Sequence, residues 1–131
     1  MRQIVFLLLT LGSLALAACG SGGDSTQATV SAASARQDVA DTRKALNAAL
    51  ATYKSGDRKA ANEQVAEAYV SHFEDVEAPL EAKNKQLKER IEHAIADDLR
   101  ASMKAGKPAS EVQAQVKAVM ADLDKAEAAL Q

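Results

Sequence analysis

The chain has few of the residues on which binding and catalytic sites usually depend. Its 131 residues include one cysteine, no tryptophan, two tyrosines and two phenylalanines. A single cysteine cannot form a disulfide within the chain, so an ordinary apolar core must stabilise the fold. With so few aromatic rings, a site that stacks sugars or bases is not expected. Sixteen basic against eighteen acidic residues give a net charge of −2, which argues against a nucleic-acid partner.

The motifs of common enzyme classes are also missing from the sequence. The two histidines are His72 and His93, and neither belongs to an H-E-x-x-H pattern. The sequence contains no G-x-S-x-G nucleophile motif and no glycine-rich loop of the kind that binds phosphate. We therefore expect a protein that is not an enzyme.

No apolar run in the sequence is long enough to cross a membrane. The mostly apolar run from Ile4 to Ala18 follows a positive charge at Arg2 and gives way to a polar segment that begins at Gly20. A spanning helix needs about 20 apolar residues, so this shorter run is typical of the core of an export signal. Residues 1–18 are therefore predicted to be a signal peptide.

The end of this segment predicts how the protein is held at a membrane. The residues Leu16-Ala17-Ala18-Cys19 resemble the bacterial lipobox, in which an aliphatic residue and two small residues precede the acceptor cysteine. The resemblance implies cleavage before Cys19 and attachment of two or three fatty acyl chains, such as palmitate, to that cysteine. Each buried methylene contributes about 0.8 kcal/mol, so two chains already anchor a protein stably. The alternative is a buried cysteine that follows an ordinary signal peptide.

The segment after the cysteine bears on location. Residues 19–28 consist of the lipidated cysteine and a small, polar sequence that is typical of a flexible tether. In diderm bacteria an aspartate directly after the cysteine tends to retain a lipoprotein at the inner membrane. Gly20 therefore favours the outer membrane, with the domain facing the periplasm, if the host has two membranes.

Residues 29–131 contain four stretches of helical periodicity, and strong helix formers fill this region. Helices are predicted over residues 29–54, 58–77 and 85–104, and from Pro108 to the C-terminus. Apolar residues recur along each at spacings that place them on one face. These residues are Val39, Leu46, Leu50 and Tyr53; Val65, Tyr69, Phe73 and Val76; Leu87, Ile91, Ile95, Leu99 and Met103; and Val112, Val116, Val119, Leu123, Ala126 and Leu130.

The predicted helices are separated by recognisable stop and start residues. Gly56 can close the first helix, and Asp57 can cap the second. Pro79 cannot continue a helix without losing a hydrogen bond, so a break near residue 78 and a stub to residue 83 are predicted. Asn84 can cap the third helix, and Gly106 can end it. Helices joined by such short breaks predict an all-α antiparallel four-helix bundle, and an oligomeric coiled coil is the alternative.

Carboxylates form a stripe on the second predicted helix opposite its apolar face. Glu63, Glu67, Glu74 and Glu77 recur there at helical spacing. Carboxylate oxygens suit calcium, magnesium, manganese and iron, although a charged stripe is also what any solvated helix face shows.

The histidines allow two further interpretations. His72 lies at the margin of its apolar face, where it could bind a metal together with a carboxylate such as Asp98 or hydrogen-bond a single carboxylate. His93 and Asp97 are four residues apart and predict an exposed pair on one helix face.

Residues 53–130 contain a particular order of motifs: Y-x-x-G-D from Tyr53, A-Y-x-x-x-F-E-x-x-E-x-x-L from Ala68, then Ile91-Glu92, Leu99-Arg100 and Gly106. With this order they resemble the extracytoplasmic helical domain of bacterial high-affinity iron permeases of the iron/lead transporter family. The resemblance implies a four-helix domain outside the cytoplasmic membrane with a role alongside iron uptake. The chain has no transmembrane helices in this part and so cannot itself be the permease. On the matched positions, the expected ligands for iron or another cation are Glu74, Glu77 and Glu92.

Two functional hypotheses follow from the sequence. The first is a lipid-anchored helical domain, residues 29–131, that binds a metal ion such as iron or docks on an iron permease. The second is a structural envelope lipoprotein that binds protein partners through its helical surface and takes no small ligand.

Overall fold

The computed structural model describes residues 30–131, which are helical and connected by short turns. The predicted signal peptide, Cys19 and the tether lie outside these residues. Residue 29, where the predicted domain begins, also lies outside them. Five α-helices and two π-helical segments follow one another along the chain. They are α1 Ala32–Lys54, α2 Arg58–Ala68, a first π segment Tyr69–Phe73, α3 Glu74–His93, a second π segment Ala94–Leu99, α4 Arg100–Ala105 and α5 Ala109–Ala129.

Side-chain caps begin three of the helical stretches. The Ser31 hydroxyl accepts a 3.1 Å hydrogen bond from the Ser34 amide at the start of α1. The Asp57 carboxylate accepts a 2.9 Å bond from the Ala60 amide, and Asn84 accepts a 3.0 Å bond from Leu87. These contacts satisfy amides that have no partner within the helix. The capping roles predicted for Asp57 and Asn84 are confirmed.

Two glycines reverse the chain between helices. Gly56 has φ of 103° after α1, and Gly106 has φ of 71° after α4. L-residues with a side chain rarely adopt these left-handed conformations, so glycine is favoured at both turns. The predicted helix ends at Gly56 and Gly106 are confirmed.

The predicted break at Pro79 is wrong, because α3 continues through this proline. Val76 and Leu80, one turn apart on the same face, are both fully buried. Burial of two such side chains contributes about 1.5–3 kcal/mol each, which together matches or exceeds the roughly 3 kcal/mol that an internal proline costs. The chain instead leaves the helical conformation at Asn84, where ψ is 85°.

The π-helical segments were not predicted from the sequence. Each interrupts an otherwise continuous helical rod, the first between α2 and α3 and the second between α3 and α4. A π segment widens the helix locally and shifts the angular position of the side chains that follow it, and such segments occur frequently at functional sites. Both segments border features described below.

A single apolar core joins the helices. α1 packs against α2, α3 and α5, and α5 also packs against α3 and the second π segment. The predicted stripe residues are buried, with Tyr69 at the margin of the core. Arg36 near the start of α1 donates a 2.7 Å hydrogen bond to the carbonyl of Leu130, and Tyr53 at its end donates to Lys107. Helices α1 and α5 therefore run antiparallel.

None of the helices between residues 30 and 131 combines the length and the apolar character needed to cross a lipid bilayer.

Candidate functional site

Two carboxylates and an imidazole meet where α1 faces the first π segment. One ligand atom each from Asp38, Asp41 and His72 lies within 4.8 Å of the other two. All three residues are half-buried. Within residues 30–131 this is the one group of three such side chains whose ligand atoms converge closely enough to hold a metal ion.

The local structure explains why these side chains meet. Asp38 and Asp41 are three residues apart on α1, so both lie on one side of the helix, next to the buried Val39 and Thr42. The Thr42 hydroxyl donates a 2.7 Å hydrogen bond to the Asp38 carbonyl. The opposing π segment packs against α1 and buries Phe73, the neighbour of His72 in sequence.

The electrostatics of the group favour a bound cation. Burial raises the pKa of the Asp38 carboxyl above its usual value, and the negative charges of Asp75 and Asp41 raise it further. His72 acts in the opposite direction on the same pKa. Asp41 accepts a 3.1 Å hydrogen bond from the Gln37 amide group. A carboxylate that two others repel, as Asp38 is, would gain from a positive ion held beside it.

Space for additional ligands exists on one side of the imidazole. A cavity of about 210 Å³ adjoins His72 between α1 and α2. Its walls include the small side chains Ala45 and Ala48 of α1 and Ala68 of α2, with Glu67 at its edge. Asp38 and Asp41 do not line this cavity, so it offers space beside the imidazole and not around all three ligand atoms.

The donor set indicates the class of metal. One imidazole nitrogen with two carboxylate oxygens is a mixed set, intermediate between the all-oxygen sites of calcium and magnesium and the sulfur-rich sites of structural zinc. Such a set suits divalent iron, manganese or zinc. The half-buried position would retain access for exchange of the ion with solvent.

The three glutamates predicted as ligands lie around a different side chain, Tyr69. The Tyr69 hydroxyl donates a 2.5 Å hydrogen bond to Glu77, and Glu92 pairs with Lys88 at 3.0 Å. Burial raises the pKa of Tyr69 strongly, followed by the hydrogen bond to Glu77 and the charges of Glu77, Glu92 and Glu74. The pKa of Lys88 is raised mainly by its hydrogen bond to Glu92.

These contacts define what the glutamates do in the described structure. Glu77 accepts a hydrogen bond from the Tyr69 hydroxyl, and Glu92 pairs with the Lys88 ammonium group. Glu74 is exposed. Metal ligation by Glu74, Glu77 and Glu92 stays a prediction, and the group of three that converges is a different one.

The histidine interpretations have separate outcomes. His72 meets Asp38 and Asp41, whereas the charge of Asp98, the partner suggested from sequence, acts on His93. The exposed pair of His93 and Asp97 is confirmed, with 2.9 Å between Nδ1 and Oδ2. The hydrogen bond that the His93 ring donates to Asp97 is the main reason that the pKa of His93 is raised.

Sequence reasoning missed Asp38 and Asp41. The available signal was a pair of carboxylates three residues apart at the edge of the apolar stripe that contains Val39. That pattern is common on solvated helices and acquires meaning only when His72 is placed opposite to it.

Comparison with protein-family models, curated proteins and solved structures finds no match to this chain. The likeness to iron-permease domains therefore rests on the residues quoted above, and the site is interpreted from its own chemistry.

Proposed function

We propose that this protein is a lipid-anchored, non-enzymatic helical domain that binds a divalent transition-metal cation outside the cytoplasm, with ferrous iron as the first candidate. The ligands are Asp38, Asp41 and His72. The domain is an antiparallel four-helix bundle that spans residues 29–131, and it acts alongside an iron permease or another component of metal uptake.

The observation that carries this proposal is the convergence of three ligand atoms within 4.8 Å. Two charged oxygens and one nitrogen at that separation can contact one ion without large movement of the backbone. The position of His72 in a π segment adds support, because π segments are frequent at functional sites.

The bundle is supported by the pairing of the helices. α1 and α5 are antiparallel, and the Asn62 side chain of α2 donates a 2.8 Å hydrogen bond to the carbonyl of Arg100 on α4. Asn62 lies near the start of its helical rod and Arg100 near the end of the next one. A contact between these ends is what a bundle with rods of alternating direction is expected to show.

The location and the biological role rest on the sequence. The export signal and the Leu16-Ala17-Ala18-Cys19 motif support anchoring through lipid on Cys19. Gly20 supports sorting to the outer membrane in a diderm host. The resemblance of residues 53–130 to the iron-permease domain supports iron as the cargo.

Titration calorimetry of the protein in detergent tests the metal site. Ferrous iron under anaerobic conditions, manganese, zinc and calcium are titrated separately. We expect binding of at least one transition metal, and we expect His72→Ala and Asp38→Asn/Asp41→Asn to weaken it at least tenfold, since each removes a direct ligand.

The chain offers a matched control in its other histidine and aspartate pair. His93→Ala and Asp97→Asn remove an exposed pair of the same chemistry and should leave affinity unchanged. The proposal would be refuted if none of the four metals bound. Loss of binding in Glu74→Ala/Glu77→Ala, with full binding in His72→Ala, would assign the site to the glutamates instead.

The alternative function, a structural lipoprotein that binds envelope proteins, makes a different prediction. Within residues 30–131 the large apolar side chain that is exposed is Val70, at 59%. A protein partner would therefore have to be held largely through polar contacts. Capture of such a partner at full strength by the His72→Ala variant, together with absence of metal binding, would favour this alternative.

A further inference from the structure

A second concave surface lies between α2 and the rod formed by the second π segment and α4. This groove has a volume of about 700 Å³. Asn62 in its wall donates a 2.8 Å hydrogen bond to the carbonyl of Arg100, which ties the two sides of the groove together. The groove contains none of the residues proposed to bind metal.

Basic side chains outnumber acidic ones in the lining of the groove. Arg58, Lys59, Arg100 and Lys104 line it, against Glu63 and Asp97 as the acidic residues. Each acidic residue already has a partner: Glu63 pairs with Lys59 at 3.3 Å, and Asp97 pairs with His93 at 2.9 Å.

Three cations remain after these pairs are assigned. Within the part of the chain that the structure describes, Arg58, Arg100 and Lys104 form no salt bridge. In a protein of net charge −2, three unpaired positive charges on one groove concentrate attraction for anions at that place.

The two arginines differ in their surroundings. The Arg58 guanidinium group lies across Gly106, and a Cβ atom at that position would overlap it. Glycine at position 106 therefore ends the helix and leaves room for the flexible Arg58 side chain to lie over it. The Nε atom of Arg100 is buried and has no hydrogen-bond acceptor among the described residues. A buried donor without an acceptor is rare in folded proteins, and a bound anion would supply one.

The geometry points to a phosphate-binding site in this groove, in which the Arg58 and Arg100 guanidinium groups and the Lys104 ammonium group hold a small phosphate-bearing anion. Guanidinium groups donate paired hydrogen bonds that match the oxygens of a phosphate. The groove is large enough for more than one phosphate group, so pyrophosphate should bind more tightly than inorganic phosphate.

The position of the groove favours a soluble phosphate over a lipid headgroup. Arg58 follows the C-terminal end of α1, whereas the chain leads back toward Cys19 from the N-terminal end. The 23 residues of α1 separate these ends by roughly 34 Å. If the protein is anchored as proposed above, the groove faces away from the bilayer that holds it.

Titration calorimetry of the full chain in detergent with inorganic phosphate, pyrophosphate and glycerol 3-phosphate tests the inference. We expect pyrophosphate to bind, with an affinity that falls as sodium chloride is raised. Arg58→Gln/Arg100→Gln should lower this affinity at least tenfold. Lys104→Gln, at an exposed position that cannot disturb the core, should also weaken binding, whereas Lys117→Gln on the exposed face of α5 should not.

The remaining outcomes are decisive. No binding of any phosphate compound, or equal binding by wild type and the double arginine variant, would overturn the inference. Binding of glycerol 3-phosphate without binding of pyrophosphate would overturn the expected preference for pyrophosphate, and binding to phosphatidylglycerol vesicles without binding of either compound would overturn the assignment to soluble phosphates. His72→Ala should leave pyrophosphate binding intact, so failure of the metal site and failure of the groove are distinguishable.

Discussion

The hydroxyl of Tyr53, at the end of α1, donates a 2.5 Å hydrogen bond to the carbonyl oxygen of Lys107 in the turn before α5. Tyr53 is 6% exposed, so its ring belongs to the core while its hydroxyl reaches the turn. This bond joins two segments that are 54 residues apart in sequence. It fixes the end of the α1 and α5 pair that lies next to the groove lined by Arg58 and Arg100.

Tyr53→Phe should lower the free energy of unfolding by about 1 kcal/mol, because the Lys107 carbonyl loses its partner while the ring stays packed. For a domain of this size the melting temperature should fall by roughly 4–8 °C. Thermal unfolding followed by circular dichroism measures the change. Thr52→Val serves as the control, since its hydroxyl bonds only within α1. A fall of equal size in both variants would contradict the assigned role of the Tyr53 hydroxyl.

The ion pair between α3 and α5 should make stability depend on acid pH. Arg90 contacts Asp122 at 2.7 Å, and this bond lowers the pKa of Asp122, with help from Lys125. A lowered pKa in the folded state means that the contribution is present above the unfolded pKa, near 3.9, and is lost as the pH falls through the folded value. Asp122→Asn should therefore destabilise by about 1 kcal/mol at pH 7.

The comparison is made by urea unfolding at pH 7 and at successively lower pH. The difference between wild type and Asp122→Asn should shrink as the carboxylate is protonated. Asp124→Asn is the matched control, because the Asp124 carboxylate is 74% exposed and its ion pair with Arg43 should contribute little to stability. A difference for Asp122→Asn that persists unchanged at pH 2 would contradict the titration.

Pro79→Ala should stabilise the protein. Pro79 lies inside α3, where it provides no amide proton for the helix. Alanine restores that donor and has the highest helix propensity, so the gain should be about 1–3 kcal/mol. Chemical unfolding of the two proteins measures it. Equal or lower stability of the alanine variant would show that the helix has adjusted to the proline and that the ring contributes to packing.

Much of the fold could be predicted because its signals are local. The cap at Asn84 and the left-handed turn at Gly106 depend on residues that are close in sequence, and both are confirmed. The predicted end of the helix at Pro79 was wrong because the free energy gained by burying Val76 and Leu80 offsets the local penalty of proline. That burial depends on helices far away in sequence.

The candidate site could be predicted only in part, for the same physical reason. His72 was recognised as a marginal residue from the 100° rotation per residue of an α-helix, but the π segment around it changes that rotation. The partners Asp38 and Asp41 come from α1, and their register against His72 is set by core packing. A pattern confined to one helix carries no information on that register.

Cys19 lies outside the described residues, and its lipidation can be tested independently of the fold. Cells that express the protein should incorporate a labelled fatty acid such as palmitate into it, because Cys19 is the acceptor thiol of the proposed lipobox. Cys19→Ser removes that thiol, so the label should be lost and the protein released from the membrane fraction. Incorporation of label by Cys19→Ser would refute the lipobox interpretation.

Asp38→Asn should increase stability at neutral pH while it weakens metal binding. The pKa of Asp38 is raised by burial and then by Asp75 and Asp41, so the ionised form is disfavoured in the folded state. This penalty is absent below the unfolded pKa, near 3.9, and is fully present once the pH exceeds the folded value. Asparagine carries no charge, so its melting temperature should exceed that of wild type at pH 7.

The pH series separates this effect from a change in packing. At pH 3 the wild-type carboxyl is protonated, and the two proteins should melt at similar temperatures. Added metal should raise the melting temperature of the wild type at pH 7 and have a smaller effect on Asp38→Asn, because binding to the folded state stabilises it by mass action. A melting temperature of Asp38→Asn below wild type at pH 7 without metal would show that the Asp38 carboxylate serves the fold. The ligand role would then lose the support of the unfavourable charge at that position.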